Sequence, residues 1–400
     1  MKKVVLENGL TILFEHKEGN AVVVEIMVNV GSNDEKPDER GLSHFLEHML
    51  FEGTTKRPTN HLISNEIESL GGEFNAYTTN ERTNYYVKIV KKHFGKAIEI
   101  LGDILQHSEF KQEFIDKEKK VVLKEIDMAD DEPRYFQWLL FHKTLFTKHP
   151  AGNATHGDRK IVTNLSKEKT MAYFHKHYTP ANMTIAIVGD VTNWKNIVKE
   201  HFGAMQGSAP RRKKVREPVK KRSVVKKARK NITSTYMILG FLTQSQPHPD
   251  TFPLEVINGI LGRGQSGRMF TEIRSKRALA YEVGTEHVAE RSFGYFTIYA
   301  SVDKKNVKTT KKVVLEELRK LQHVTTKDLK EAKDYLEGEF LLEIDDTQKR
   351  SSQLLFWEQV GDANKMNEYV RKIRKVSVAD VKRVAKKYFK NHVMIVVEGK

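Results

Sequence analysis

Two stretches of the chain share one order of hydrophobic and polar positions. Residues 21–30 read as a strand, a Gly/Asp-rich loop follows, and 42–51 repeats apolar residues at helical spacing. Beyond residue 230 the same order returns, with a strand over 235–243 and a helix over 252–261. The first half continues with a helix over 60–70, Gly71-Gly72, and a hairpin over 73–90 that turns at Asn80-Glu81. The second half continues with a helix over 268–277 and strands over 283–302, broken near Arg291-Ser292-Phe293-Gly294. An amphipathic helix comes next in each, over 94–105 and 307–321.

The ends of the halves also correspond. Tyr178-Thr179-Pro180-Ala181-Asn182 and the apolar run to Asp190 match Tyr388-Phe389-Lys390-Asn391 and the apolar run to the last residue, each preceded by an amphipathic helix. The two tyrosines stand 210 positions apart, half the chain, so an internal duplication is expected. Strands and helices that do not alternate as βαβ units predict an α+β fold of two homologous domains, each a mainly antiparallel β-sheet packed with helices. The expected boundaries are 1–208, a basic linker over 209–230, and 231–400.

Charge sharpens that boundary. The net charge is +16, and residues 209–230 hold twelve Lys or Arg against Glu217 alone. A basic run confined to one segment reads as a solvated linker or edge strand. No RNA-binding signature or aromatic-interleaved basic motif accompanies it, so no nucleic acid partner is expected. The chain has no cysteine, which excludes disulfides, thiolate nucleophiles and Cys-based zinc sites. No apolar run approaches the roughly 20 residues of a membrane span, and the N-terminal residues turn polar too early for a signal peptide. A cytoplasmic protein without a membrane partner is the expectation.

Chemistry concentrates in Gly41-Leu42-Ser43-His44-Phe45-Leu46-Glu47-His48-Met49. On a helix, His44 and His48 lie one turn apart on one face, the arrangement in which two imidazoles share a metal ion. Glu47 stands beside them, placed to reach a metal-bound water. The pattern is H-x-x-E-H, the inverted zincin motif. A hydrolytic zinc takes three protein ligands and keeps one position open, so a third ligand is required. The helix expected over 114–126 offers Glu118 and Glu125, seven apart and therefore on one face, with Val121 and Val122 between them and Lys117, Lys120 and Lys124 on another.

With these residues in view, the sequence resembles the M16 metallopeptidases, the group of mitochondrial processing peptidase, insulin-degrading enzyme and pitrilysin. In that family a glutamate ligand follows H-x-x-E-H by 77 positions, and 77 positions after His48 stands Glu125. The resemblance implies that His44, His48 and Glu125 bind one Zn2+, that Glu47 is the general base on the zinc-bound water, and that Glu118 supports the site from behind. Asn75-Ala76-Tyr77-Thr78 is similar to the family's edge strand, which implies that Asn75, Ala76 and Tyr77 bind substrate backbone by β-addition. Tyr85 and Tyr86 read as strand packing. Arg274 to Tyr281 is similar to the family's R-x6-Y element, which implies that Arg274 and Tyr281 assist catalysis from the second domain. Gly262-Arg263-Gly264-Gln265-Ser266-Gly267 satisfies G-x-G-x-x-G, but helical spacing precedes it where a dinucleotide fold needs a strand.

The expected function is zinc-dependent hydrolysis of unfolded peptides in an enclosed chamber. For two-domain chains the resemblance implies a dimer, either a homodimer or a pairing with a related subunit. A non-catalytic scaffold subunit and a basic nucleic-acid-binding protein are the alternatives; the first is disfavoured because all four positions of the zinc motif are intact.

Overall fold

The computed structural model describes residues 1–230 and 232–399. Asn231 and Lys400, the two ends of the expected second domain, lie outside the described residues.

Six strands form the first sheet: β1 (Lys2–Val5), β2 (Thr11–Glu15), β3 (Ala21–Val28), β4 (Glu73–Thr78), β5 (Thr83–Val90) and β6 (Met183–Val188). Their order in space is β1-β2-β6-β3-β5-β4, with β2 and β6 parallel and every other pair antiparallel. Val22, Val24, Ile26 and Val28 of β3 share one face with Tyr85, Val87 and Ile89 of β5. That face forms one core with Leu42, Phe45, Leu46 and Met49 of helix Leu42–Met49 and with helix Phe94–His107. The period-2 and period-3.6 apolar patterns therefore meet in a single buried layer.

The second sheet holds β7 (Ser223–Arg229), β8 (Thr235–Leu242), β9 (Ala280–Ala289), β10 (Gly294–Val302) and β11 (Val393–Gly399) in the order β7-β11-β8-β10-β9. Here β7 and β11 are the parallel pair. This order, parallel pair included, repeats β2-β6-β3-β5-β4 strand for strand, and the two sheets are copies of one plan. The basic stretch, read as a linker or edge strand, contains a strand, β7, at the sheet edge. Lys226 and Lys227 on it are exposed, and lysines on an edge discourage pairing with other chains. The helix expected over 268–277 is a wider coil over Phe270–Ser275, where the Lys276 N–H reaches back five residues to the Thr271 carbonyl at 3.0 Å.

Each sheet gathers its compact unit from three pieces of chain. One unit comprises Met1–Asp127, Asn153–Lys213 and Glu343–Met366; the other comprises Met128–Gly152, Lys214–Leu342 and the chain from Asn367 onward. The sequence reading kept residues 128–152 with the first half and 343–366 with the second, whereas packing assigns each to the other sheet. Helix Pro133–Leu145 explains one case: Phe141 and Leu145 share a cluster with Ile238, Ile395 and Val397. Gly240 of β8 makes room for it, since a Cβ there would stand 2.0 Å from the Phe141 ring. Helix Thr347–Gln359 lies across β3 and β6 of the first sheet. The hydroxyls of Ser351 and Ser352 donate to the fully buried Glu25 of β3, and Arg350 pairs with Glu15. Asn84 Nδ2 at 2.6 Å and the Tyr77 hydroxyl at 3.1 Å complete the ring of donors around Glu25. Burial outweighs these bonds and raises the Glu25 pKa.

Candidate metal centre

Helix Leu42–Met49 buries Leu42, Phe45, Leu46 and Met49, which leaves His44, Glu47 and His48 on its other face. Its start is built with care. Gly41 takes φ +96°, a conformation that suits glycine, and a Cβ on Gly157 would come 2.4 Å from the Gly41 Cα. One Glu35 carboxylate oxygen accepts the Gly41 N–H at 2.9 Å, and the other accepts the Ser43 N–H at 2.8 Å. These are two of the donors that a helix start leaves unpaired. Glu35 is half-buried, and desolvation pushes its pKa up to about 8. The Ser43 hydroxyl lies 2.9 Å from that of Tyr173, tying the same turn to helix Lys167–His177.

The third donor comes from helix Gln112–Asp131, whose buried line is Ile115, Glu118, Val122 and Ile126. Val121, read from the sequence as part of that face, is instead 36% exposed. A step of about 100° per residue carries it off the line that Val122 occupies. Glu118 Oε2 stands 3.0 Å from His48 Nδ1. With that nitrogen bound to Glu118, the His48 Nε2 lone pair is turned toward Glu125, whose Oε2 is 3.7 Å away. His44 Nε2 lies 3.6 Å from the same oxygen.

One donor atom each from His44, His48 and Glu125 falls within 4.8 Å of the others. The gaps to Glu125 are too long for hydrogen bonds. They approach the roughly 3.4 Å that separates two ligands on a tetrahedral zinc with bonds of about 2.1 Å. Two imidazoles and one carboxylate form a donor set suited to zinc that leaves a fourth position for solvent. His44 Nδ1 is buried without a hydrogen-bond partner. Burial, followed by His48 and His156, lowers the His44 pKa to about 3, which keeps the ring neutral as a metal ligand must be. Burial would also lower the pKa of His48, but Glu118, Glu125 and Glu47 outweigh it and raise it.

Glu47 sits against β4, the free edge of the first sheet. Its Oε2 accepts the Thr78 hydroxyl at 2.5 Å. Burial raises the Glu47 pKa, and this bond opposes the rise. The Thr79 N–H donates to the Arg82 carbonyl at 2.8 Å and so sets the alternation of the hairpin. From that register, Asn75 and Tyr77 bond to β5, while Phe74, Ala76 and Thr78 turn their main-chain groups outward. The outward N–H of Ala76 is held by the Asn75 side-chain oxygen at 2.8 Å. Of the edge residues named from the sequence, Asn75 and Ala76 therefore lie at the open rim. The Tyr77 side chain turns to the opposite face of the sheet, where its hydroxyl meets Glu25 and Asn84. Tyr85 is buried, its hydroxyl 2.7 Å from that of Tyr178.

In the second unit the Arg274 guanidinium lies over the ring of Tyr281 at 5.4 Å and over that of Phe270 at 5.0 Å. Tyr281 is 77% exposed at the start of β9. The segment Gly262 to Gly267 follows helix Thr251–Gly262 and no strand, so it lacks the setting of a dinucleotide loop. The sequence gives Thr78 a place in the edge strand but no role, and it does not single out Glu35. Thr78 ends the quoted Asn75-Ala76-Tyr77-Thr78 run, and Glu35 falls six residues before the helix cap at Gly41, so spacing offered a faint pointer to each.

With that geometry in place, comparison with known families decides the identity. The family described as Insulinase (Peptidase family M16) matches residues 11–159, and the Peptidase M16 inactive domain matches 164–336. The chain belongs to peptidase family M16. A Rickettsia bellii protein named "Uncharacterized zinc protease" is 30% identical over 398 residues, covering 98% of this M16 chain and 96% of its own length. A Rickettsia felis protein of the same name is 33% identical over 342 residues, 84% of this chain and 82% of its own. A protease from Helicobacter pylori shares the fold at a TM-score of 0.94 and 21% identity, over 99% of each chain. The H-x-x-E-H helix and Glu125 both fall inside the segment that matches the first M16 domain.

Proposed function

We propose that the protein is a zinc-dependent metalloendopeptidase that hydrolyses unfolded peptides bound as an added strand along β4. The observation that carries this reading is the convergence of His44, His48 and Glu125 within 4.8 Å, with Glu47 held beside them by Thr78. Bound there, zinc supplies a Lewis acid that polarises the scissile carbonyl and brings the pKa of water toward about 7. His44, His48 and Glu125 would hold the ion, and Glu118 fixes the His48 ring through Nδ1, which leaves Nε2 toward Glu125. Glu47 takes the proton of the attacking water and returns it to the leaving amine.

Substrate capture rests on β4. Its outward main-chain groups at Phe74 and Thr78 and the outward carbonyl of Ala76 offer hydrogen bonds that demand little of a substrate's sequence, and Asn75 and Ala76 line that rim. Arg274 and Tyr281 are assigned, on the family resemblance, to the substrate main chain and the developing oxyanion. The same resemblance supports a dimer, with itself or a related subunit, that encloses the chamber. The absence of cysteine agrees with a reducing cytoplasm. Among the described residues no helix is long and apolar enough to cross a membrane.

Digestion of a peptide library, read by mass spectrometry with and without chelator, tests the proposal. Chelator-sensitive cleavage supports it, and a metal-loaded Glu47→Gln protein should bind zinc yet cleave almost nothing. Absence of cleavage by zinc-loaded wild type would favour the scaffold reading, and cleavage by Glu47→Gln at the wild-type rate would remove Glu47 from the mechanism.

A further inference from the structure

A general base works only when its lone pair points at the proton to be taken, and a glutamate on a helix surface has three side-chain torsions with which to point elsewhere. In this chain the Glu47 carboxylate has a dedicated anchor. The Thr78 hydroxyl donates to Oε2 at 2.5 Å, within the short range of charge-assisted O–H bonds.

The neighbouring hydroxyl does not compete for this bond. Thr83, paired with Thr78 across the hairpin, commits its proton to the Val30 carbonyl at 2.9 Å and lies 3.5 Å from Thr78 Oγ1. Thr78 has one hydroxyl proton, and the shorter contact gives it to Glu47. Helix Leu42–Met49 carries the base, while an edge strand fixes its direction.

We propose that Thr78 is a positioning residue for peptide hydrolysis: its hydroxyl immobilises the Glu47 carboxylate so that the base faces the water held at the centre. This rests on the peptidase reading given above. This donor comes from the strand that is proposed to receive substrate, so the direction of the base and the rim for the peptide are set by one element.

Thr78→Val keeps the β-branched shape and removes the hydroxyl, and Thr78→Ser keeps the hydroxyl. Both are to be compared with wild type and Glu47→Gln for zinc content, melting temperature, kcat and KM on a fluorogenic peptide. A crystal structure of zinc-loaded Thr78→Val supplies a readout independent of turnover. Thr78→Val should retain zinc and melting temperature, keep KM, and lose about 10- to 100-fold in kcat. Thr78→Ser should recover most of that loss, and Glu47 should be displaced in the crystal. Wild-type kcat in Thr78→Val would overturn the proposal, as would a loss of kcat that follows loss of zinc and is not rescued by Ser. If wild type shows no chelator-sensitive cleavage, the peptidase reading falls, and the crystal structure decides the role of Thr78 alone: an unmoved Glu47 carboxylate contradicts the anchor, and a displaced one supports it.

Discussion

Glu118 lies 3.0 Å from Nδ1 of His48, and seven residues later on the same helix Glu125 faces Nε2 of that ring at 3.7 Å. Two carboxylates from one helix thus address the two sides of one imidazole. The nearer one orients the ring, and the farther one joins it at the proposed metal position.

Glu118→Gln should therefore weaken zinc binding without abolishing it. Loss of a partner behind a histidine ligand costs about 10- to 100-fold in metal affinity. Competition against a fluorescent chelator measures it, and an unchanged affinity would mean that Glu118 does not hold the ring.

Glu35 anchors the start of the histidine helix through the Gly41 and Ser43 N–H groups. Glu35→Ala leaves both donors buried and unpaired, which should cost about 1–3 kcal/mol of stability in urea unfolding. The same variant should bind zinc less tightly because the helix carrying two proposed ligands loses its fixed start. Wild-type stability and affinity together would contradict this.

Asp250, at the start of helix Thr251–Gly262, accepts from Arg383 at 2.6 Å, from Lys387 at 2.7 Å and from the Tyr388 hydroxyl at 2.7 Å. Burial would raise its pKa, but these donors outweigh it and hold the carboxyl well below the usual range. A folded pKa below the unfolded one gives stability that is complete above about pH 4 and is lost as pH falls toward the folded pKa. Asp250→Asn should destabilise the protein at pH 7 and flatten the acid limb of its stability profile. An acid limb identical to that of wild type would refute the assignment.

Zinc should raise the melting temperature of wild type, with about 2.7 kcal/mol of stabilisation at a hundredfold excess over Kd. His44→Ala should lose this response. A shift of equal size in His44→Ala would place the stabilising metal elsewhere.

The site could be read from the sequence to the extent that helix geometry alone fixes positions. His44 and His48 at i and i+4, and Glu118 and Glu125 at i and i+7, must share faces wherever their helices lie. The duplication was visible for a similar reason, because matching strands repeat their apolar patterns. What stayed hidden depends on contacts between distant elements. Helix Pro133–Leu145 carries Tyr135, Phe136, Trp138, Leu140 and Phe141 around its circumference, so no single apolar face announced which sheet it would cover. Helix Thr347–Gln359 meets the first sheet partly through Ser351, Ser352 and Gln359, and polar docking of that kind leaves no hydrophobic period. Thr78, Glu35 and Glu25 act by hydrogen bonds whose partners are brought near only by the fold.

Anomalous diffraction at the zinc edge, from crystals loaded with one equivalent of zinc, tests the central claim most directly. The account predicts a single strong peak about 2.0–2.2 Å from Nε2 of His44, Nε2 of His48 and a carboxylate oxygen of Glu125. A peak bound to other residues, or no peak among these three in fully loaded protein, would contradict it.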